Sequence, residues 1–482
     1  MMKKTLFVLG LSIFFAALFS PALFAATQAS RYVVLFKNDH IPVDAHQLIE
    51  GAGGRIVRSF PSVGIVVATS ENPVFESSLA FSTPVESVSS ARFRPLPGGS
   101  PHSGGVVTPA DDFFSYQWNI RRVKADKAWR ITRGTHNTTV AVIDTGIAWN
   151  HPDLTQNVVY AACFTSLGAC AWKSPGGETC PCTPYPDLDP HGTAVASVIA
   201  ASSAGGRMVG VGPGLAIASY NVFELIAPDG IPQEFSYDDS VWSAMFDAAE
   251  RGYRVMNISL GDPLFDRTDD KTIIAAWTRV VKEILRKNVT IVASAGNNGL
   301  KLTGQTVHIP SDLPGVISVG ATGIRPEPVY PLDGSFDVPA FYSNFGKPID
   351  LVAPGGDCGV DGPCDDFSVF PPNWYEYGVL SAFVCPGCGF TADTSPFVGV
   401  TGFSEDPGCI ATASCQTDYT WFSGTSLAAP HVAAVAGLII DRFPYFNSLF
   451  VTTILKVSAE HLGDHPHFGS GMVDAYRAVG GR

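Results

Sequence analysis

The chain has 482 residues, of which 46% are hydrophobic and 16% are charged, and its formal net charge is −13. This length suffices for a full α/β catalytic domain and at least one smaller unit, and the apolar content excludes a disordered chain. An acidic chain lacks the basic surface that nucleic-acid binding requires, so we expect no nucleic-acid partner.

The first 26 residues have the pattern of a secretory signal peptide. Lys3 and Lys4 precede an almost wholly apolar run over 5–20, and small residues follow. The alternative, a transmembrane anchor, would need about 20 apolar residues and a flank that stops transfer. We therefore expect a leader over residues 1–26 and a protein secreted to the extracellular or periplasmic space, without a membrane partner.

Residues 31–95 are predicted to form a small α+β unit. The segments 31–37 and 54–69 have the composition of strands, 45–51 favours a short helix, and a further short strand begins at Val85. This β-α-β-β order is typical of a small independent unit.

Residues 96–112 are rich in Pro, Gly and Ser and have no periodicity, which predicts a linker and processing region. A small unit, an exposed linker and a large domain is the layout of a zymogen. An ordinary N-terminal accessory domain is the alternative.

Strands and helices alternate through residues 113–482. The strands are predicted at 138–143, 209–222, 254–259 and 289–293, and the helices at 194–201, 240–251 and 272–287. This order predicts an α/β fold with a doubly wound, mostly parallel sheet. In such sheets functional residues gather beyond the carboxyl ends of strands, where Asp144, the segment 259–261 and Asn297 are found.

Ser426 opens an apolar helix, and Asp144, His191 and Asn297 stand at the ends of other elements. Pro430 is expected in the first turn of that helix, where a missing N–H costs nothing. Taken alone, each of the four could be a helix cap, a turn residue or a buried histidine. Together they have the residue types of a nucleophile, its base, an orienting acid and an oxyanion donor.

Five segments resemble the subtilisin family of serine proteases. They are AVIDTGI at 141–147, HGTAVA at 191–196, MNISLG at 256–261, ASAGNNG at 293–299 and SGTSLAAPHVA at 423–433. The order Asp, His, Ser along the chain is also that of subtilisin. The resemblance covers residues 115–482.

The resemblance implies a serine endopeptidase that needs no cofactor for its chemistry. Ser426 would attack the peptide carbonyl, His191 would act as the base, Asp144 would orient His191, and Asn297 would stabilise the oxyanion. Two alternatives stay open: a secreted pseudoprotease that acts as a binding module, and a protease dedicated to processing one precursor.

The same resemblance implies where a substrate binds. The substrate-binding residues would be Ser259, Leu260, Gly261, Ala293, Ser294, Ala295, Gly296, His308 and Thr425. An extended peptide would pair with two strand edges, one at 259–261 and the other near 223–225. His308 replaces the small residue at the pocket floor, so it would narrow the pocket or admit a polar or acidic side chain. Alternatively, it faces solvent. A cis bond before Pro310 is expected.

Residues 31–95 are similar to the inhibitory propeptide of this family, which assists folding and then occupies the cleft. Cleavage is expected between residues 95 and 112. The partners would then be protein or peptide substrates and the chain's own propeptide, and the mature enzyme would be a monomer.

A structural calcium ion is a further expectation from the resemblance, with Asp153 at the position of one carboxylate ligand. The partner loop 202–206 lacks the asparagines expected there. The acidic loop 357–366 is a second candidate, and its alternative is a surface loop pinned by a disulfide.

Ten cysteines in an exported chain fit five disulfides. Four lie in an insertion at about 160–185 and six in an insertion at about 355–420. Two disulfides in the first insertion and three in the second is the simplest arrangement. Cys385 and Cys388 also resemble a zinc or redox pair.

Overall fold

The structure is a computed structural model. It describes residues 29–95, 101–102, 113–166, 168–172, 190–202, 206–226, 233–260, 264–324, 337–357, 377–385 and 416–482. The expected signal peptide, most of the linker and most of both cysteine-rich insertions lie outside the described residues. Within these ranges, no helix is both long enough and apolar enough to span a bilayer.

Residues 29–95, all of them described, contain a four-stranded antiparallel sheet and two helices. The elements are β1 (Ser30–Phe36), α1 (Ala45–Gly51), β2 (Gly54–Phe60), β3 (Ile65–Ser70), α2 (Phe75–Ala80) and β4 (Val85–Ser90). The strand order β2-β3-β1-β4 is that of a split β-α-β motif. We call this part the N-terminal unit.

The predicted β-α-β-β order is present, but helix α2 was not predicted from the sequence. Its six residues carry two large apolar side chains, Phe75 and Leu79, both buried. A single i, i+4 pair is too short a pattern to identify a helix.

Two short strands precede the large domain, one at the end of the N-terminal unit and one beyond it. The two short strands are β5 (Phe93–Pro95) and β6 (Pro101–His102). The helices are α3 (Trp118–Arg122), α4 (Ala125–Ala128), α5 (His191–Ala200), α6 (Asp238–Glu250), α7 (Lys271–Arg286), α8 (Thr425–Arg442), α9 (Ser448–Ser458), α10 (His465–Phe468) and α11 (Ala475–Ala478). The strands up to the middle of the domain are β7 (Thr139–Asp144), β8 (Val158–Thr165), β9 (Gly168–Trp172), β10 (Ala216–Asn221), β11 (Phe223–Ile226), β12 (Gln233–Tyr237), β13 (Val255–Ile258), β14 (Phe265–Asp266) and β15 (Thr290–Ser294). The remaining strands are β16 (Lys301–Leu302), β17 (Thr306–Val307), β18 (Val316–Ile324), β19 (Asp337–Pro339), β20 (Phe345–Gly346), β21 (Leu351–Pro354), β22 (Val379–Cys385) and β23 (Gln416–Phe422).

Among the described residues the main sheet has nine strands, in the order β19-β18-β15-β13-β7-β10-β8-β9, with β21 also paired to β18. The neighbours from β18 to β8 are parallel, and β9 and β19 are antiparallel at the two edges. The predicted mostly parallel, doubly wound sheet is therefore confirmed.

Strand β7 shows why its sequence is continuously apolar. Val140 and Val142 pack into the core on the side of α5 and α8, and Ala141 and Ile143 pack into the core on the side of α6 and α7. Because successive residues of a strand point to opposite faces, a strand covered by helices on both sides needs apolar residues at every position.

The sheet of the N-terminal unit packs one face against α6 and α7 of the large domain. Val33, Leu35 and Ile65 share a core with Trp242 and Trp277 on those helices. The opposite face of the same sheet packs against its own helices α1 and α2. The N-terminal unit therefore has its own core and also covers an apolar surface of the large domain.

Strands β5 and β6 pair with two different ribbons of the large domain. Arg94 of β5 lies opposite Ser236 of β12, in antiparallel register, and β12 runs directly into α6. His102 of β6 lies opposite Trp421 of β23, which leads into α8. A peptide edge was expected near 223–225, which is β11. The edge that pairs with β5 belongs instead to the next strand, β12, whose other edge pairs with β11.

Candidate active site

Asp144, His191 and Ser426 come from three elements and are all buried. Asp144 ends β7, His191 begins α5, and Ser426 is the second residue of α8. The Nδ1 atom of His191 lies 2.7 Å from Oδ1 of Asp144. Since a carboxylate only accepts, Nδ1 carries the proton, and Nε2 has the lone pair that a general base needs.

A close approach between the start of α5 and the turn after β7 brings His191 to Asp144. The backbone N–H of Gly192 donates to Thr145 Oγ1 over 2.9 Å, and the N–H of Thr145 donates to Asp144 Oδ1 over 2.8 Å. A Cβ at Gly192 would clash with the carbonyl oxygen of Gly146. Glycine after His191 is therefore a packing requirement.

Pro430 lies inside α8, beyond its first turn, so the expectation that it would need no compensation was wrong. A proline cannot donate to the carbonyl four residues earlier, which here belongs to Ser426. The Ser259 hydroxyl donates to that carbonyl over 2.9 Å, and the Asn257 amide donates to the Ser259 hydroxyl over 2.9 Å. Ser259 therefore supports Ser426 with its side chain, a role that the resemblance did not suggest.

The Ser426 hydroxyl is turned toward the carbonyl oxygen of Ser259, at 3.3 Å. This is a long and therefore weak hydrogen bond. A weakly held hydroxyl can turn to His191 when a substrate arrives, and catalytic hydrogen bonds commonly tighten only at that stage.

Asn297 is held so that its amide nitrogen is available. Its Oδ1 accepts from the backbone N–H of Thr425 over 2.9 Å and from the Thr425 hydroxyl over 2.7 Å. Its Nδ2 is buried and has no hydrogen-bond partner among the described residues. A Cβ built on Gly424 would lie 3.5 Å from this Nδ2 and 3.7 Å from the Ser426 backbone nitrogen, so both donors border one small space. Such a pair can stabilise an oxyanion.

Thr425 was predicted among the substrate-binding residues. The structure places it, fully buried, as the residue that orients Asn297. Its hydroxyl also accepts from the backbone N–H of Gly296 over 3.1 Å. Thr425 is thus a positioning residue.

The expected pocket walls are the end of β15 and the segment after β13. Ala293, Ser294 and Ala295 are buried, as is Leu260, whereas Gly261 lies outside the described residues. Gly296 adopts a left-handed φ of +94°.

His308 is buried against this wall, so the alternative that it faces solvent is wrong. A Cβ on Gly296 would lie 2.6 Å from His308 Cδ2, which shows how closely the ring approaches the Gly296 backbone. Burial, with a smaller contribution from the Arg94 cation, lowers the pKa of His308 to about 3. A neutral ring in this position gives no charge that would attract an acidic side chain, so the structure favours the other prediction, that His308 narrows the pocket. The Ile309–Pro310 peptide bond is cis.

The contacts of Asp153 do not fit a calcium ligand. Its Oδ1 accepts from the backbone N–H of Arg207 over 2.9 Å, and its Oδ2 accepts from the Tyr419 hydroxyl over 2.5 Å. Burial also raises the pKa of this carboxyl group. A calcium ligand directs its oxygen lone pairs at the ion. Both carboxylate oxygens of Asp153 instead accept hydrogen bonds from protein N–H and O–H groups. In the part of the chain that the structure describes, no group of three or more His, Cys, Asp or Glu could hold a metal ion. The loop 357–366 lies outside that part except for Asp357.

Cys163 is disulfide-bonded, and Cys170 lies opposite it in the antiparallel register of β8 and β9. Most of the other cysteines lie outside the described residues. The arrangement of two and three disulfides stays a prediction.

Arg94 and Asp238 form a buried pair that was not predicted from the sequence. An acidic residue at the start of a helix is common for its effect on the helix dipole, so Asp238 carried no special signal. Arg94 stands at the edge of a linker, where a charged residue is ordinary.

The sequence and the fold are both similar to known proteins. A model of the subtilase family matches residues 135–472. A thermophilic serine proteinase of Bacillus sp. (strain AK1) is 26% identical over 77% of this chain and 69% of its own length. Subtilisin DY of Bacillus licheniformis is 26% identical over 75% of this chain and 98% of that protein.

Two solved structures share the fold. The epidermin leader peptide processing serine protease of Staphylococcus aureus has a TM-score of 0.66 at 19% identity, over 94% of this chain and 98% of that one. A lanthipeptide protease has a TM-score of 0.54 at 26% identity, over 80% of this chain and 98% of that one.

Proposed function

The chain belongs to the subtilase family and is a serine-type endopeptidase, and from this premise we propose that it is a secreted zymogen inhibited by its own N-terminal unit. The observation that carries the proposal is the pairing of β5 with β12 and of β6 with β23. These two pairings tie the chain leaving the N-terminal unit to the elements that lead into α6 and into the helix of Ser426.

In the proposed mechanism each of the four site residues has one role. Ser426 Oγ attacks the peptide carbonyl carbon while its proton passes to His191 Nε2, and Asp144 stabilises the imidazolium that forms. The negative charge on the carbonyl oxygen is stabilised by Asn297 Nδ2. When the carbon–nitrogen bond breaks, the leaving amine takes the proton from Nε2. Water then attacks the acyl-enzyme by the same route and releases the acid.

The contacts between the N-terminal unit and the large domain support the proposal that this unit inhibits the enzyme while it stays bound. Arg31 makes two hydrogen bonds to the Asp239 carboxylate, at 3.0 and 2.6 Å, and Arg58 approaches the same carboxylate to 3.0 Å. In a second group the cation is on the large domain: Arg279 of α7 pairs with Asp39 at 2.9 Å and with Glu86 at 2.7 Å, both on the N-terminal unit. Charge pairs of both polarities fix the orientation of a bound partner.

The maturation site can be located directly. We expect the mature, secreted protein to begin between residues 96 and 112, and the full chain to hydrolyse a peptide substrate more slowly than the mature form. N-terminal sequencing of the mature protein, with the two rates measured side by side, tests both statements. A mature protein that begins before Arg94, or a full chain as active as the mature form, would contradict the proposal.

His308 should restrict the residue before the scissile bond. Replacing His308 by Ala removes the ring beside Gly296 and should raise kcat/KM for a substrate with Phe before the cut by about 10-fold or more. The exposed His461, replaced by Ala, is the control. A wild-type enzyme that already cuts well after all large apolar residues would refute this role.

Dedicated processing of one precursor is a second candidate function. It is favoured by the likeness to a solved lanthipeptide protease, at 26% identity. A digest of mixed proteins separates the two, since a general protease cuts at many sites and a processing enzyme at few.

A further inference from the structure

The guanidinium group of Arg94 lies in a closed pocket of the large domain, and the whole side chain is buried. Its Nε donates to Asp238 Oδ1 over 2.7 Å, and its Nη1 donates to the carbonyl oxygen of Ile309 over 2.7 Å. The indole N–H of Trp277 donates to the same Asp238 oxygen over 2.8 Å. The guanidinium carbon lies 4.8 Å from the Trp277 ring centre and 5.2 Å from that of Phe265.

All of these pocket residues belong to the large domain, and only the guanidinium is supplied from outside it. Arg94 reaches the pocket because β5 pairs with β12 as an added antiparallel strand. An extended peptide that pairs with β12 in the same register would place one side chain at the position of Arg94. The pocket can therefore be filled by another chain once β5 has left.

The charge of the pocket determines what can fill it. Asp238 is 1% exposed, so an apolar occupant would leave a buried carboxylate without a cation. Lysine is a poorer fit than arginine, because the contacts to Asp238 and to Ile309 are made by two different nitrogens of one planar group. The aromatic faces of Trp277 and Phe265 also favour a flat cation.

We infer that this pocket, in the mature enzyme, binds an arginine side chain of the substrate at one fixed position on the N-terminal side of the cleaved bond. The inference rests on the proposed function, because the N-terminal unit must leave first. After β5 the chain runs on to β6, which pairs with the strand leading to Ser426. A peptide bound in the same direction therefore reaches Ser426 after it has passed the Arg94 pocket, so this arginine lies upstream of the residue that enters the pocket at His308.

Wild-type mature enzyme and a peptide library test the inference. Mass spectrometry of the products should show arginine dominant at one upstream position. Matched peptides with Arg, Lys, citrulline or Leu at that position then separate charge from shape, since citrulline keeps the size of arginine without its charge. We expect kcat/KM to fall roughly 30-fold or more from Arg to citrulline and to Leu, with Lys between them.

Variants at two neighbouring residues test whether the arginine preference comes from the Arg94 pocket. Asp238→Asn should bring the Arg-to-citrulline ratio close to one. Asp239→Asn is the matched control and should keep the ratio, because Asp239 pairs with Arg31 and Arg58 of the N-terminal unit rather than with Arg94. If Asp238→Asn does not fold, the peptide series on the wild-type enzyme decides by itself.

Equal cleavage of the Arg, citrulline and Leu peptides would overturn the inference, as would arginine selected only at the residue directly before the cut. An enzyme that cuts none of the peptides and does not react with a fluorophosphonate would instead remove the proposed function, and the inference with it.

Discussion

Replacing Ser426 by Ala is expected to abolish peptide hydrolysis while the protein still folds. In subtilisin the loss of this serine costs about 10⁶ in kcat, because no other group can form the acyl-enzyme. The hydroxyl here makes one long hydrogen bond, 3.3 Å to Ser259, and the position lies in a helix, where alanine is favourable. Hydrolysis of a fluorogenic peptide and the thermal melting temperature are the two measurements.

A fluorophosphonate probe, which reacts covalently with an activated serine, tests the role of Ser426 in a second way. The wild-type enzyme should be labelled at Ser426, and the alanine variant should carry no label at any serine. A variant that keeps its activity, or a folded wild-type enzyme that is never labelled, would eliminate the nucleophile assignment and favour the pseudoprotease alternative.

Replacing Asn297 by Ala is expected to lower kcat by about 10² to 10³, a range known from the equivalent change in subtilisin, with little change in KM. The reason is the direction of its amide: Oδ1 is held by Thr425, and Nδ2 faces the space beside the Ser426 backbone nitrogen. A donor that acts on the transition state alone changes kcat rather than KM.

Two further variants separate catalysis from folding. Alanine at 297 also leaves the Thr425 donors without their acceptor, at a cost of about 1–3 kcal/mol. Asn297→Asp keeps the acceptor and removes the amide, so it should fold well and still lose turnover. The adjacent Asn298, exposed and bonded to Asn344, is the control and should keep its kcat when replaced by Ala. Full turnover in Asn297→Asp would disprove the oxyanion role.

The parts of the fold that were predictable have a strong local pattern. The unbroken apolar run of β7 indicated a strand covered on both faces, and its end at Asp144 placed one member of the site. The short helix α2 lacks such a pattern.

The site residues divide in the same way. Asp144, His191, Asn297 and Ser426 could be found because each stands in a characteristic short segment. The Arg94–Asp238 pair could not, because its members are 144 residues apart, and neither has a local sequence signal. The roles of Thr425, Asp153 and Ser259 also depend on which donor or acceptor lies opposite, and the sequence does not contain that information.

The proline in α8 has a consequence for how the nucleophile is held. Near the start of a regular helix a residue is held mainly by its carbonyl, which accepts from the N–H four residues later, and helix ends fray. Because Pro430 cannot donate, the carbonyl of Ser426 is anchored to Ser259, just beyond β13 at the centre of the main sheet. The reactive serine is therefore aligned with the same strand end that is expected to hold the substrate backbone. A shift of that strand end would move attacking group and target together, which keeps the distance between them constant.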